Sequence, residues 1–346
     1  MNMSAPGAVN TLYIGGGTPS VLPLDVLSRI VGAVSQTERL SLVTEQLSLV
    51  TEPVEVTTPT ELFDEFTVEV NPEDIVEKGR EYVRGLLALG VNRISMGIQS
   101  FNDDILRWMN RRHDAGNAVK AFHILRESGV RNISIDLIFG ISQLTDETWK
   151  DTIEKALELS PEHISAYQLS IEEGSALAKM VADGRYVEAS EEQCRRQYDI
   201  LCRCLGRSGY HHYEISNFAK PGFEAVHNSA YWRRAPYIGL GPGAHSLTGD
   251  IRSWNSQELP HRSTDGSPAT YSRTSETLSP ENIRVERIML SLRTDKGLEA
   301  AELYSLADRA VINSLLSEGA LEKQGGSIRI PESRLFTSDE IIRELI

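Results

Sequence analysis

The sequence has very little cysteine: three occur among 346 residues, and none precedes Cys194. This low, odd count, clustered at Cys194, Cys202 and Cys204, excludes a disulfide framework and is typical of a reducing compartment. A metal site of the form C-x7-C-x-C is the alternative. On a helix, however, Cys202 and Cys204 would point to different sides. We therefore expect a packed helix with surface thiols here.

Long apolar runs and excess positive charge are also absent. No stretch of about 18 apolar residues occurs, and Met1 to Val9 lack the basic and apolar regions of a signal peptide. The net charge of -14 excludes a general nucleic-acid binder, because phosphate binding needs a basic face. We expect an acidic protein in the cytoplasm, with a length that suits one α/β barrel and an appendage.

Apolar strands alternate with helical patterns from residue 11 to about residue 167. This alternation predicts parallel βα units. The predicted strands lie near 11–15, 66–70, 92–98, 131–138 and 162–168, and the predicted helices near 23–35, 73–88, 114–128 and 145–158.

Several of these strands carry one polar face, as in Phe66-Thr67-Val68-Glu69-Val70. Fully covered parallel strands are normally continuous apolar runs. A partial barrel with helices outside and a functional lumen explains the difference, and Glu69, Gln99 and Asp136 fall near strand carboxyl ends, where barrel active sites lie. An antiparallel sheet with one solvated face is the weaker alternative, because the connections have the length of helices.

The first strand runs directly into Gly15-Gly16-Gly17. Consecutive glycines bring bare backbone N–H groups close to a bound molecule. A tight turn without a ligand is one alternative. A phosphate-binding loop is another, but the segment lacks the Lys-Ser/Thr of a P-loop.

The rest of the chain divides by composition. Residues 38–62 contain two copies of a seven-residue repeat between prolines, which predicts a surface insertion. Residues 1–250 are predicted to form the barrel with a β-rich extension that includes 227–232, and residues 251–280 a linker. Three helical patterns and a hairpin over 281–346 predict a winged-helix-like module with a docking or lid role.

Seven short blocks follow one another along the chain. One is the hexad His227-Asn228-Ser229-Ala230-Tyr231-Trp232. The others are GGGTP at 15–19, VEVNP at 68–72, RISMGIQSF at 93–101, NRRH at 110–113, IDLIFG at 135–140 and GYHHYEISNFAKPG at 209–222. Together they resemble the radical S-adenosylmethionine (SAM) proteins of the oxygen-independent coproporphyrinogen oxidase group, and the hexad is similar to the HNxxYW sequence of its haem chaperone branch.

The resemblance implies a partial (β/α) barrel that holds SAM and a [4Fe-4S] cluster at the strand carboxyl ends. Carboxylates suit the ammonium group and ribose hydroxyls of SAM, and an arginine suits its carboxylate. A simple ion pair between Arg111 and Asp136 is the alternative. The residues that the resemblance assigns to SAM are Gly16, Gly17, Thr18, Glu69, Gln99, Arg111 and Asp136.

The hexad implies a haem site formed by His227, Asn228, Tyr231 and Trp232. Neutral imidazole is a common iron ligand, and aromatic rings offer flat faces to a porphyrin. The implied function is a chaperone that binds haem and passes it to an acceptor protein, which could lie at a membrane. A hydrogen-bonded structural role is the alternative for His227, and His245 is a weaker second haem ligand.

The sequence departs from this family at the cluster. Family members hold it with a CxxxCxxC loop before the GGGTP strand, whereas residues 1–193 contain no cysteine, and the first barrel strand is missing as well. Either the loop is encoded upstream or the chain is a natural relative without a cluster. In both cases we expect no stoichiometric cluster on this chain, and whether it is an enzyme stays open.

Two other functions remain as alternatives. One is an enzyme similar to oxygen-independent coproporphyrinogen III oxidase, which would act in porphyrin biosynthesis. The other is a scaffold without a cluster that binds only a protein partner.

Overall fold

The structure is a computed structural model that describes residues 9–34, 63–258 and 271–346. The insertion predicted at 38–62 therefore lies outside the described residues. The chain divides into two compact units. The first spans Ala8–His227.

In the described part of this first unit, seven strands form one curled sheet, a half-barrel, which confirms the predicted fold class. Residues with alternating apolar side chains form these strands, as the pattern predicts. The strands are β1 (Thr11–Ile14), β2 (Glu65–Val70), β3 (Arg93–Gln99), β4 (Ile133–Phe139), β5 (His163–Gln168), β6 (His211–Glu214) and β7 (Asn217–Ala219).

The spatial order of the sheet is β1-β2-β3-β4-β5-β7-β6. Strands β1 to β5 run parallel, β7 is antiparallel to β5, and β6 is antiparallel to β7. Because the first five strands are parallel, their carboxyl ends meet along one edge of the sheet, and residues from distant parts of the chain come together there.

Helices connect the parallel strands and cover the outer face of the sheet. Several begin at a side chain that accepts a hydrogen bond from an N–H of the first turn, such as Asp114, Thr145 and Ser190. The helices of this unit are α1 (24–34), α2 (Pro72–Ala88), α3 (Asp103–Trp108), α4 (Ala115–Glu127), α5 (Asp146–Leu159), α6 (Ala176–Ala182), α7 (Glu191–Arg207) and the start of α8 (Val226–Trp232).

The two faces of β3 differ in polarity, as the alternation predicts. Ile94, Met96 and Ile98 are fully buried on the helix side. Arg93 and Gln99 project from the opposite face, into the lumen of the half-barrel, since successive strand residues point to opposite faces. The core therefore lies between sheet and helices, and the lumen remains polar.

The hexad region differs from the sequence prediction. The sequence pattern places residues 227–232 in a β-rich segment, but Val226–Trp232 form α8. The physical reason is a distant carboxylate: Glu65 accepts hydrogen bonds from the backbone N–H groups of Val226 (2.8 Å) and His227 (3.0 Å). These are N–H groups that a helix start leaves without an intrahelical partner, so Glu65 stabilises the helical form.

The second unit spans Asn228–Ile346. Its described part contains a three-stranded antiparallel sheet, followed by the predicted three helices and hairpin of a winged-helix-like module. Its elements are β8 (His245–Thr248), β9 (Ile251–Asn255), β10 (Arg273–Thr277), α9 (Pro280–Ser291), β11 (Leu298–Glu299), α10 (Ala300–Leu306), α11 (Arg309–Ser317), β12 (Glu322–Gln324), β13 (Ser327–Arg329) and α12 (Ser338–Leu345).

Two features of this unit lie outside the sequence prediction. The sequence did not predict α12, and β9 and β10 fall within 251–280, the range interpreted as a linker. The domain boundaries themselves stay a prediction. Every helix in the described parts of the chain is too short or too polar to cross a membrane.

Candidate functional site

A cleft of about 200 Å³ opens at the carboxyl ends of β2, β3 and β4, beside the glycine loop that follows β1. Strand alternation predicts that polar side chains meet at this edge. Six of the seven residues assigned to SAM by resemblance line the cleft, and Gly16 adjoins it. The six are Gly17, Thr18, Glu69, Gln99, Arg111 and Asp136.

The glycine loop needs glycine for two different reasons. Gly16 and Gly17 have φ values of 77° and 70°, a left-handed conformation that other residues rarely adopt. Gly15 instead lies where a Cβ would overlap the ring of Tyr13 and approach a carboxylate oxygen of Glu69 to 2.7 Å. The first glycine therefore makes room for a side-chain contact, and the next two turn the backbone.

The carboxylate of Glu69 is fixed through both of its oxygens. The hydroxyl of Tyr13 donates to Oε1 at 2.7 Å, and the backbone N–H of Gly16 donates to Oε2 at 3.0 Å. Hydrogen bonds to a charged acceptor are among the stronger ones in proteins. Glu69 therefore joins β1, the glycine loop and β2 at the edge of the cleft.

Asp136 lies deeper in the same cleft. Its oxygens accept hydrogen bonds from the hydroxyl of Ser95 at 3.2 and 3.3 Å. Burial raises the pKa of Asp136 to about 6, although the nearby guanidinium of Arg93 opposes this shift. The Nε of Arg93 is buried and has no hydrogen-bond partner among the described residues. Asp136 therefore changes charge near neutral pH.

Gln99 is held in an unusual backbone conformation. Its φ is 68°, the pairing register of β3 and β4 shifts between Met96 and Gln99, and the residue is 8% exposed. A residue other than glycine with such a φ costs on the order of 1–3 kcal/mol, and such residues cluster at functional sites. Gln99 therefore lines the cleft from a strained backbone position.

The Asn-Arg-Arg-His block distributes its charges over two environments. Arg111 faces the cleft, and burial lowers its pKa. Arg112 instead bonds Glu73 (2.9 Å) and Asp74 (3.0 Å) at the start of α2. The ring of His113 is buried between Glu73 and the backbone carbonyl of Ile98, so it holds the block in place. No ion pair joins Arg111 to Asp136 in the described residues, so Arg111 provides a cation to the cleft.

The hexad histidine lies at the opposite end of the half-barrel. Nδ1 of His227 is 2.8 Å from the hydroxyl of Thr11, the first residue of β1. The imidazole also stacks on the ring of Tyr13, with centroids 5.1 Å apart. Burial lowers the pKa of His227, so its imidazole is neutral at pH 7. A neutral imidazole oriented through one nitrogen is the form that binds metals.

The other predicted haem residues share α8 with His227. At about 100° per residue, His227, Asn228, Tyr231 and Trp232 fall within an arc of about 140° on one side of this helix. Tyr231 is 42% exposed, and its ring makes an edge contact with that of Tyr237. The structure therefore gathers these four residues on one helix face.

The cysteines do not form a cluster site. Cys194, Cys202 and Cys204 all lie on α7, as predicted, and no cysteine occurs elsewhere in the sequence. Cys194 is buried, and burial raises the pKa of its thiol. No thiol lines the cleft in the described residues. The donor set therefore does not fit a [4Fe-4S] cluster, whereas the carboxylates, amide and arginine of the cleft fit the charges of SAM.

Comparisons with known proteins agree with this architecture. Residues 2–156 match the radical SAM superfamily. The protein named heme chaperone HemW of Lactococcus lactis is 34% identical over 290 residues, covering 84% of this chain and 70% of the relative. That of Bacillus subtilis is 32% identical over 339 residues, covering 96% and 82%. The chain belongs to the HemW family.

A solved structure supports the fold of this HemW family member. Coproporphyrinogen III oxidase (HemN) from Escherichia coli superposes with a TM-score of 0.73 at 22% identity, covering 98% of this chain and 78% of that one. At this level of identity the likeness establishes the fold alone. The half-barrel and the C-terminal helices thus have the fold of that structure.

The sequence reasoning missed Thr11, Tyr13, Glu65 and Arg93. Thr11 and Tyr13 alternate with apolar residues in β1, and this pattern could have placed them in the lumen. Arg93 showed the same signal in β3. Glu65 gave none, because its partners lie 161 and 162 residues further along the chain.

Proposed function

We propose that this chain binds haem through the hexad on α8 and passes it to an acceptor protein, as the name of its HemW relatives suggests. The observation that carries the proposal is the state of His227. The Thr11 hydroxyl lies 2.8 Å from Nδ1 and orients the ring, and burial lowers the pKa of the imidazole, which favours its neutral form. A neutral imidazole oriented in this way suits ligation of a haem iron.

The other hexad residues have supporting roles in this proposal. Tyr231 and Trp232 provide aromatic faces for the porphyrin, and Asn228 provides an amide beside them. Glu65 fixes the start of α8 and therefore the position of His227.

We also propose that the cleft binds SAM. SAM supplies a sulfonium-linked methionine whose ammonium, carboxylate and ribose groups need ion pairs and hydrogen bonds. Glu69 and Asp136 would bind the ammonium and hydroxyl groups, Arg111 would bind the carboxylate, and Gly16, Gly17, Thr18 and Gln99 would shape the loop around the methionine end. These residues bind and orient; we assign them no chemical step.

Haem titration followed by Soret absorbance tests the leading proposal. We expect His227→Ala to weaken haem binding at least tenfold, because an iron ligand is lost. His123→Ala is the matched control, since His123 is an exposed histidine on α4, and it should stay within twofold of wild type. Equal haem affinity in wild type and H227A would contradict the assigned site.

A further inference from the structure

One side chain links the two proposed sites. The Tyr13 hydroxyl donates a hydrogen bond to Oε1 of Glu69 at 2.7 Å. The other carboxylate oxygen of Glu69, Oε2, accepts a hydrogen bond from the backbone N–H of Gly16, beside the cleft. The ring of Tyr13 stacks on His227 at 5.1 Å, with 21° between the planes. A single phenol therefore contacts both the Glu69 carboxylate at the cleft and the histidine of the hexad.

The hydroxyl of Tyr13 is a constant donor. Burial, together with the charge of Glu69, raises the pKa of Tyr13 far above its ordinary value, so the phenol stays protonated at any physiological pH. Its bond to Glu69 is charge-assisted. The contact is therefore a fixed polar link.

The first glycine of the loop, Gly15, leaves room for the contact between Tyr13 and Glu69. The φ of Gly15 is not in the left-handed region, so backbone conformation does not require glycine there. A Cβ at Gly15 would overlap both the Tyr13 ring and the Glu69 carboxylate. The absence of a side chain at Gly15 therefore leaves space for the hydrogen bond between Tyr13 and Glu69.

We propose that Tyr13 is a positioning residue for both sites, and that it couples SAM binding at Glu69 to haem binding at His227. The inference rests on the proposed function, because it needs both ligands. A cationic group of SAM that pairs with Glu69 draws on the same carboxylate that holds the Tyr13 hydroxyl. Any shift of the phenol toward or away from Glu69 changes its stack on His227, since the ring is rigid.

Two substitutions separate the functions of the phenol. Tyr13→Phe removes the bond to Glu69 and keeps the ring on His227, whereas Tyr13→Leu removes both. Tyr210→Phe is the matched control, because Tyr210 is also buried and its hydroxyl donates to a backbone carbonyl, that of Pro161. Thermal unfolding of each variant checks that the chain is folded.

The experiment measures the dissociation constants of SAM, by calorimetry, and of haem, by absorbance, each with and without saturation by the other ligand. In wild type we expect each ligand to change the affinity for the other by the same factor, at least fivefold. In Y13F, SAM should bind about tenfold more weakly, haem alone within twofold of wild type, and the coupling factor should fall to one. Y13L should weaken both ligands, and Y210F neither.

The outcomes distinguish the inference from the function beneath it. A wild-type chain that binds no haem overturns both. A chain that binds haem but not SAM overturns the proposed SAM site and the role of Tyr13, and leaves the haem proposal standing. A chain that binds both ligands independently overturns only the role of Tyr13. Y13F with wild-type SAM affinity and an intact coupling factor also overturns it, since a merely structural tyrosine would leave the coupling unchanged.

Discussion

The two ends of β1 and β2 carry the two proposed sites, which differ in kind. At the carboxyl end, the cleft gathers Glu69, Gln99, Arg111 and Asp136 from several elements around a polar cavity. At the amino end, Thr11 and Glu65 hold one short helix in place. In (β/α) barrels the carboxyl end usually serves activity and the amino end stability.

Here the amino end also holds the histidine of the hexad. The cleft residues and His227 differ in the contacts that hold them in place. Cleft residues sit on strands of the sheet or on loops anchored to it, whereas His227 depends on contacts with the first residues of two strands. We therefore expect changes at the carboxyl end to alter SAM binding first, and changes at the amino end to alter haem binding first.

The largest effect should come from Gly15→Ala at the carboxyl end. The added Cβ displaces Tyr13 and Glu69, so SAM should bind at least 100-fold more weakly, and overpacking should lower the free energy of unfolding by about 1–3 kcal/mol. Calorimetry and urea unfolding measure both. Gly206→Ala on α7 is the control, because space is open there, and it should be neutral or stabilising. A G15A chain with normal SAM affinity would refute the steric argument.

Asp136→Asn tests the charge in the cleft. The pKa of Asp136 is about 6 in the folded chain, above the ordinary value of 3.8, so stability falls as pH rises from about 4 to about 6, where the unfolded chain has released this proton and the folded chain still holds it. Relative to wild type, D136N should therefore gain about 2–3 kcal/mol of stability between pH 4 and pH 8, because a pKa difference of about two units is worth about 1.4 kcal/mol per unit. SAM should bind D136N more weakly at pH 8.

Unfolding curves at several pH values measure this difference. Asp151→Asn, at an exposed position of α5, is the matched control. A stability difference between D136N and wild type that does not change with pH would show that Asp136 does not ionise in this range.

The smallest effect should come from Glu65→Gln at the amino end. One of the two backbone N–H groups at the start of α8 loses its acceptor, which should cost about 1 kcal/mol and weaken haem binding severalfold. Glu127→Gln is the control, because Glu127 forms an exposed ion pair with Arg80. If E65Q lost as much SAM affinity as haem affinity, the separation of the two ends would be wrong.

The cleft is largely predictable from sequence, for a physical reason. Parallel strands place their carboxyl ends together, and the alternation of apolar and polar residues is enough to assign Glu69 and Asp136 to one face. Arg111 could be chosen over Arg112 only by resemblance, because both follow α3 and only packing decides which one reaches the cleft. The strain at Gln99 has no signal in the sequence.

The hexad can be identified from its residue types, but the sequence pattern predicted a β-rich segment where the structure has a helix. Seven residues are too few for a helix to be stable by propensity alone. What selects the helix is the carboxylate of Glu65, a residue distant in sequence, and single-sequence periodicity cannot detect such a partner. The hexad motif therefore supports the prediction of haem binding but does not predict the helix.

The long separation between Glu65 and α8 also bears on the synthesis of the chain. Val226 and His227 follow Glu65 by 161 and 162 residues, so the strands β1 to β7 are all synthesised before both partners of this contact exist. Closing so large a loop costs chain entropy, and pairing of the intervening strands shortens the loop that remains to be closed. Under the proposed function, a nascent chain therefore presents no ordered haem ligand before its half-barrel strands have been made.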